Sequence, residues 1–358
     1  MSDMLITMCV IAYNEEQNIN GILECIKNQD YDHNNMEVVL VDGASTDNTR
    51  ALMCEFALDN KEEFRRVVVL DNPKKTLPSG WNVALGEYKG DAIIKVDAHA
   101  VIPEDFVSKN VRVLETGEYI CGGQRPNIID KPTPFKETLL LAESSMFGSS
   151  IASYRNNPGK TYVKSLFHAA YRREVFEKVG FFNEELVRTE DNEIHYRMRK
   201  AGYKLCFDPD IISYQYTRSS LKAMLKQKYA NGYWIGKTSK VCPKCLSIYH
   251  FVPFAFVSAI IASGSVIGAT GLAECIKKRH NHTLGKGISA LRKVTVVLTT
   301  VMWVLYALMA SGMAAVSAFK AEDKRNITNA CLPVLFLLLH LSYGIGTIAG
   351  LMDKSKRG

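Results

Sequence analysis

The 358 residues predict an α/β domain of parallel βαβ units followed by a C-terminal α-helical membrane domain. Three observations carry that prediction. In residues 1–100, short apolar runs alternate with stretches whose apolar residues recur at helical spacing. Later, residues 245–273, 294–319 and 326–352 each lack Asp, Glu, Lys and Arg, and each reaches the roughly 20 apolar residues that span a bilayer as a helix. Charge divides the same way. From Ser220 onward 18 Lys and Arg face 4 Asp and Glu, so the net charge of +7 joins an acidic part of −7 to a basic, apolar part of +14.

Residues 5–12 form a continuous apolar run and read as a strand, after which Ile19, Ile22, Leu23 and Ile26 mark one face of a helix. Residues 37–41 predict a second strand, entering a turn whose Ser45, Thr46 and Asp47 are good N-caps for a helix over 49–58. A third strand is expected over 67–70, a helix over 81–88 and a fourth strand over 92–96. No GxGxxG or GxxxxGK[ST] loop follows the first strand, which disfavours a nicotinamide-binding or P-loop protein. Glycines and prolines interrupt residues 103–171, predicting strands and loops that shape an acceptor cleft. Thr189 is a candidate N-cap for a helix that carries Ile194, Met198 and Ala201 on one face and stops at Gly202. Glu190, Asp191 and Glu193 in its first turn also suit the helix dipole.

The fourth strand ends in the sequence IIKVDAHA, residues 93–100. Side chains at i and i+2 of a strand share a face, so Asp97 and His99 are candidate ligands of one divalent cation. Open α/β sheets bind ligands at that edge. Alone, the pair reads equally as a strand end entering a turn. The other strand ends present Ala12, Tyr13, Asn14 and Glu15, and Asp42, so three polar loops converge and predict a nucleotide pocket.

Four segments in order now resemble the family 2 glycosyltransferases, and within them the succinoglycan-type membrane glucosyltransferases. They are CVIAYNEEQNI at 9–19, VDGASTDNT at 41–49, KVDAHA at 95–100 and YRREVFEKVGFFNEELVRTEDNEIHYRMRKAG at 171–202; the likeness spans about residues 4–240. The resemblance implies a GT-A fold, a UDP-sugar donor with UDP-glucose foremost, a divalent metal and inversion at the anomeric carbon. It implies that Ala12, Tyr13, Glu15 and Asp42 hold uracil and ribose, and that Asp97 and His99 occupy the metal-binding D-x-D positions. A histidine in the second place departs from that pattern and suits Mn2+ better than Mg2+. Asp191 falls on the catalytic base and Glu190 beside it, while Arg172 and Arg173 are candidates to touch phosphates or to form a solvated basic pair.

Residues 1–219 are thus expected to form the catalytic GT-A domain, 220–245 an amphipathic interfacial helix and linker, and 246–358 the membrane domain. Leu221, Leu225, Tyr229 and Tyr233 recur every four residues, with Lys222 and Lys226 on a neighbouring face, which suits a membrane surface. Residues 227–234 lack the Gln-x-x-Arg-Trp element of processive relatives, so single-sugar addition to a polyprenyl-linked saccharide is expected. Residues 5–12 are too short for a signal peptide and run into Asn14, Glu15 and Glu16, which predicts a cytoplasmic catalytic domain on the inner membrane. If each apolar run crosses once, Lys277, Lys278, Arg279, Lys286, Arg292 and Lys293 fall outside, against the positive-inside rule. A re-entrant or interfacial first segment would bring them and the tail from Lys354 to Arg357 inside. Scattered cysteines fit a reducing compartment, and the lone Cys242/Cys245 pair lacks the second pair of a zinc site. Asn281 and Asn326 begin N-x-T triplets too short to argue glycosylation.

The competing classes are a nucleotidyltransferase, which would carry a Gly-rich basic loop after its first strand, and a nucleotide-binding membrane transport or scaffold protein. Against the latter, the apolar runs carry no Asp, Glu, Lys or Arg to mark an ion path. Nucleic acid is not an expected partner, because the basic charge lies beside apolar spans.

Overall fold

The computed structural model describes residues 3–148, 159–218, 220–279, 285–321 and 326–354. Pro158, Asn281 and the final residues of the Lys354 to Arg357 tail lie outside them, as do the side chains of Lys278 and Arg279.

The first half of the chain runs β1 (Ile6–Ala12), α1 (Ile19–Lys27), β2 (Met36–Asp42), α2 (Thr49–Asp59), β3 (Arg66–Asp71), α3 (Leu77–Glu87), β4 (Ala92–Asp97), β5 (Ala100–Val101), α4 (Phe106–Glu115), β6 (Ile120–Gln124), β7 (Asn127–Ile128) and α5 (Pro134–Ser144). It continues through β8 (Thr161–Val163), β9 (Ala170–Arg172), α6 (Arg173–Val179), α7 (Glu190–Lys200), β10 (Leu205–Ile212) and β11 (Tyr214–Tyr216). Four long helices close it: α8 (Leu221–Val241), α9 (Val252–Arg279), α10 (Lys286–Phe319) and α11 (Leu332–Met352).

Strands β1 and β2 are apolar on both faces because helices cover both sides of the sheet. The large sheet has the order β3-β2-β1-β4-β9-β6-β10-β8. Strands β3, β2, β1 and β4 are parallel neighbours, while β9 runs antiparallel between β4 and β6. A small sheet, β5-β11-β7, sits at the end of β4. The predicted strand and helix alternation over residues 5–100 holds, with bounds shifted by a few residues.

Residues 103–171 differ from the expectation of strands and loops, since they contain α4 and α5. Helix α4 buries Phe106, Val107, Asn110, Val111 and Leu114, and α5 opens on Pro134 with Thr133 Oγ1 accepting the Lys136 N–H at 3.3 Å. Helix α5 docks on the apolar part of the chain. Its Leu139 and Ala142 pack with Met224, Leu332, Leu335, Phe336 and Leu339.

The segments Ile248–Lys277, Lys286–Phe319 and Ile327–Met352 are long and apolar enough to cross a membrane. Helix α9 is one unbroken helix, and its Gly264 and Gly268 are helical with open space around them. Helix α8 is packed against α11. It runs parallel to α11, Gly232 meeting Tyr343, Gly346 meeting Tyr229 and Gly350 meeting Tyr233. A Cβ on Gly232 would sit 2.0 Å from the Tyr343 carbonyl oxygen and one on Gly350 2.0 Å from that of Tyr233, so only glycine allows the two backbones to touch. Lys228 on α8 pairs with Glu143 of α5 at 3.6 Å, and Thr217 donates to the same carboxylate at 2.5 Å.

Gly350→Ala should therefore lower stability by about 1–3 kcal/mol, the usual cost of overpacking, read as a fall in Tm of the detergent-solubilised protein. Gly264→Ala, with nothing within 4 Å, should be neutral or mildly stabilising. Equal Tm values for the two variants would contradict the α8–α11 contact.

Candidate functional site

Parallel register sets three strand ends side by side: Ala12 of β1 pairs with Asp42 of β2, and Ile11 of β1 pairs with Asp97 of β4. The loops they feed interlock. The Gly43 N–H donates to the Ala12 carbonyl at 2.8 Å, and a Cβ on Gly43 would lie 3.1 Å from that oxygen, which favours glycine here. The Asn14 side-chain oxygen accepts the Thr46 N–H at 2.8 Å, and Glu15 donates its N–H to Thr49 Oγ1 at 2.7 Å. Asn14 and Ala44 both hold positive φ, 54° and 56°, as strained residues at binding loops often do. Asp42 is buried, its carboxylate accepting the Ser45 N–H at 3.1 Å, whereas Tyr13 is 47% exposed beside Lys75.

The period of two along β4 puts Lys95 and Asp97 on one face, with His99 just beyond the strand in the turn to β5. Lys95 Nζ contacts Asp97 Oδ1, and the other carboxylate oxygen lies 3.4 Å from His168 Nε2. His168 accepts the Asp97 N–H at 3.2 Å and donates from Nδ1 to Ser213 Oγ at 2.9 Å. Burial lowers His168 to about 4, so it is neutral. Burial pushes the Asp97 carboxyl up, but the Lys95 ammonium outweighs it and holds Asp97 well below the usual carboxylate range.

His99 faces two partners. Its Nδ1 lies 3.2 Å from Glu15 Oε1 and its Nε2 3.3 Å from the Gln215 amide nitrogen. The amide is a donor, so these partners assign the N–H to Nδ1 and the lone pair to Nε2. For Glu15, burial raises the carboxyl, but the His99 and Asn18 hydrogen bonds more than offset it.

Across the site, Glu190 and Asp191 open α7. Thr189 stands at the N-cap position without capping the helix, because its hydroxyl bonds Thr238 of α8 instead. Glu190 is buried with Oε2 lacking a hydrogen-bond partner, and Asp191 is half-buried, accepting the Asn192 N–H at 2.8 Å. Beneath them the Tyr171 hydroxyl meets His195 Nε2 at 2.7 Å, and His195 Nδ1 meets Ser165 at 3.1 Å. Burial, then Asp191, pushes Glu190 up to about 8, with Lys95 opposing. Burial also raises Asp191, opposed by the Asn192 N–H, Lys95 and Arg125. The two acids titrate as a pair, with the proton resting on Glu190. Lys95 is thus the charge that Asp97, Glu190 and Asp191 have in common.

The structure brings Ala12, Asp42, Asp97, His99 and Glu15 to one sheet edge. Arg172 and Arg173 are not there. Arg172 pairs with Ala92 at the other end of β4, about 17 Å back along the strand, and donates to the carbonyls of Leu114 and Glu118. Arg173 donates to Gly90 and stacks on Tyr88. Sequence reasoning missed Lys95, His168, Gln215 and Arg125. Lys95 had a signal, since it lies two residues before Asp97 on the same face. Arg125, stacked 3.9 Å over Phe167, and His168 and Gln215 arrive by tertiary structure alone.

Among the described residues, no three or more His, Cys, Asp or Glu side chains converge as a metal-binding group. The donor set still fits a cation that arrives with phosphates. Asp97 is held ionised, and with a carboxylate on His99 Nδ1, a common outer-shell arrangement, the nitrogen able to ligate would be Nε2, once the Gln215 amide gives way. Two protein ligands suffice where a nucleotide supplies the rest.

Residues 7–180 match the family model described as glycosyl transferase family 2. The chain is 28% identical over 236 residues to the succinoglycan biosynthesis protein ExoA of Rhizobium meliloti, covering 64% of this chain and 68% of that protein. It is 26% identical over 264 residues to a Methanococcus voltae dolichyl N-acetyl-α-D-glucosaminyl phosphate diacetamido-dideoxy-glucuronosyltransferase, covering 72% of this chain and 80% of that one. Mannosyltransferase PcManGT from Pyrobaculum calidifontis, solved with GDP-Man and Mn2+, aligns at 17% identity with a TM-score of 0.57, covering 98% of this chain and 88% of that chain. The fold is GT-A, with three C-terminal apolar helices able to cross a membrane.

The raised Glu190 sets a pH dependence. The folded protein keeps that proton up to about 8, whereas the unfolded chain releases it near 4.5, so stability falls as pH rises across this window. Glu190→Gln should flatten the decline in Tm between these pH values and be the more stable form at the upper end. Parallel Tm profiles for the two proteins would show that no proton is held there.

Proposed function

We propose that this chain, whose residues 7–180 form a glycosyltransferase family 2 domain, moves one sugar from a UDP-sugar, UDP-glucose foremost, to a hydroxyl of a lipid-linked saccharide with inversion. The observation that carries the reading is the electrostatic unit joining the donor-side Asp97 to the acid pair Glu190 and Asp191 through Lys95. Ala12, Tyr13, Glu15 and Asp42 line the interlocked loops and would hold uracil and ribose. Asp97 and His99 would hold a divalent cation, Mn2+ suiting the imidazole better than Mg2+. When bound there, such an ion neutralises charge on the leaving diphosphate.

Asp191, the more open of the two acids, takes the proton from the acceptor hydroxyl as its oxygen bonds the anomeric carbon and the nucleoside diphosphate departs. Its raised pKa makes it a stronger base than a solvated carboxylate. Glu190, keeping its own proton, leaves a single negative charge on the pair. The proposed lipid-linked acceptor is supported by the apolar helices, to which Thr189, one residue before the acid pair, is tied through Thr238 of α8. We place the catalytic domain on the cytoplasmic side of the inner membrane. The chain's nine cysteines, five of them in this domain, are all free thiols, as suits a reducing compartment. Addition of one sugar per acceptor rests on the missing Gln-x-x-Arg-Trp element in α8.

A screen of UDP- and GDP-sugars with the detergent-purified protein, with and without Mn2+, should find metal-stimulated hydrolysis or transfer with a UDP-sugar. Asp191→Asn should lose at least about a hundredfold in turnover while still binding UDP by calorimetry. Full turnover in that variant would remove Asp191 from the role, and products longer than one added sugar would refute single addition.

A further inference from the structure

Lys95 belongs to no predicted role, yet it touches the donor-side carboxylate and acts on the acid pair. Its Cα pairs with Cys9 at the centre of the sheet, and the residue is 8% exposed, so the side chain is enclosed along its length. The ammonium contacts Asp97 Oδ1, on side chains only 10% and 16% exposed. Both oxygens of Asp97 therefore have close neighbours, Lys95 on one and His168 on the other.

We propose that Lys95 makes cation capture at Asp97 conditional on the nucleotide. The inference rests on the reading of Asp97 as a metal ligand and adds an order of events to it. Before donor binding, the carboxylate edge a metal ion needs is held by an ammonium, and a divalent ion placed beside that ammonium is repelled. The Lys95 side chain is largely enclosed, only 10% exposed, so the ammonium stays within the site. Its other anionic neighbour is the acid pair, which carries a single negative charge on Asp191 while Glu190 keeps its proton. The donor changes the balance, because the negative oxygens of its diphosphate sit between the two cations and attract both. Metal and nucleotide then bind as one unit, and free metal ions do not load the empty protein. Lys95 acts through Asp97, as a positioning residue.

The test measures Mn2+ binding by electron paramagnetic resonance on the full-length protein in detergent, with and without UDP, and with GDP in parallel. Wild type should bind Mn2+ alone at least about tenfold more weakly than with the nucleotide, a coupling of ordinary size between linked sites. Lys95→Met should bind Mn2+ alone about tenfold more tightly than wild type and lose most of the nucleotide enhancement, while Lys95→Arg should keep it. If Lys95→Met fails to fold, judged by its Tm, Lys95→Gln serves the same comparison. Equal Mn2+ affinity of wild type with and without nucleotide overturns the proposal without any variant, as does wild-type behaviour in a folded Lys95→Met or Lys95→Gln. Asp97→Ala separates the two levels. Unchanged Mn2+ binding in Asp97→Ala, or no binding of either nucleotide to wild type, refutes the underlying site assignment instead.

Discussion

The site depends on one electrostatic constraint, an ammonium enclosed among three carboxyl groups where water is scarce. A buried charge is tolerated only when a partner of opposite sign compensates for lost hydration. Lys95 and Asp97 meet that condition for each other. Glu190 has no such partner in contact and relieves the strain by keeping its proton. The result is a division of labour between neighbouring carboxyls that differ in environment rather than in chemistry: one ionised and held, one neutral, one half-open and basic.

Backbone geometry delivers these groups. The two-residue repeat of β4 aligns Lys95 with Asp97, parallel register lines up the ends of β1, β2 and β4, and the short β5–β11 pairing carries Gln215 to His99. Helix α7 is fixed from two sides. The Tyr171–His195–Ser165 chain supports it from within the sheet domain, and Thr189 surrenders its capping role to reach Thr238. A helix start usually keeps its hydroxyl for itself. Here Asp191 and Glu193, first-turn charges favourable to the dipole, stabilise the end that the missing cap leaves open.

Much of this was legible in the chain. Strands β1 to β4 follow from uninterrupted apolar runs, and the polar residues at their ends follow from where those runs stop. The three long helices follow from the absence of charge. The legible part ends where distance along the chain begins to matter. His168 and Gln215 lie some seventy and more than a hundred positions from the residues they touch, and no local pattern announces them. Of the two readings of Arg172 and Arg173, phosphate contact or a basic pair away from the site, strand direction favours the second by placing them at the opposite sheet edge. Residues 103–171 were misread because their prolines and glycines suggested irregular chain. Pro134 opens a helix there, a position where its missing N–H does no harm. Helix α8 showed its aromatic repeat plainly and hid its glycine contact, since a small residue gives no sign of what comes close to it.

The docking of α5 has a practical consequence. Leu139 and Ala142 are fully enclosed in a cluster with Leu332, Leu335, Phe336 and Leu339, and the glycine face of α8 lies against α11. A shortened chain ending after α8 would present both surfaces bare to solvent, inviting clumping. The anchor is thus part of the tertiary core, and engineering a freely dissolved version would require redesigning the seam rather than cutting along it.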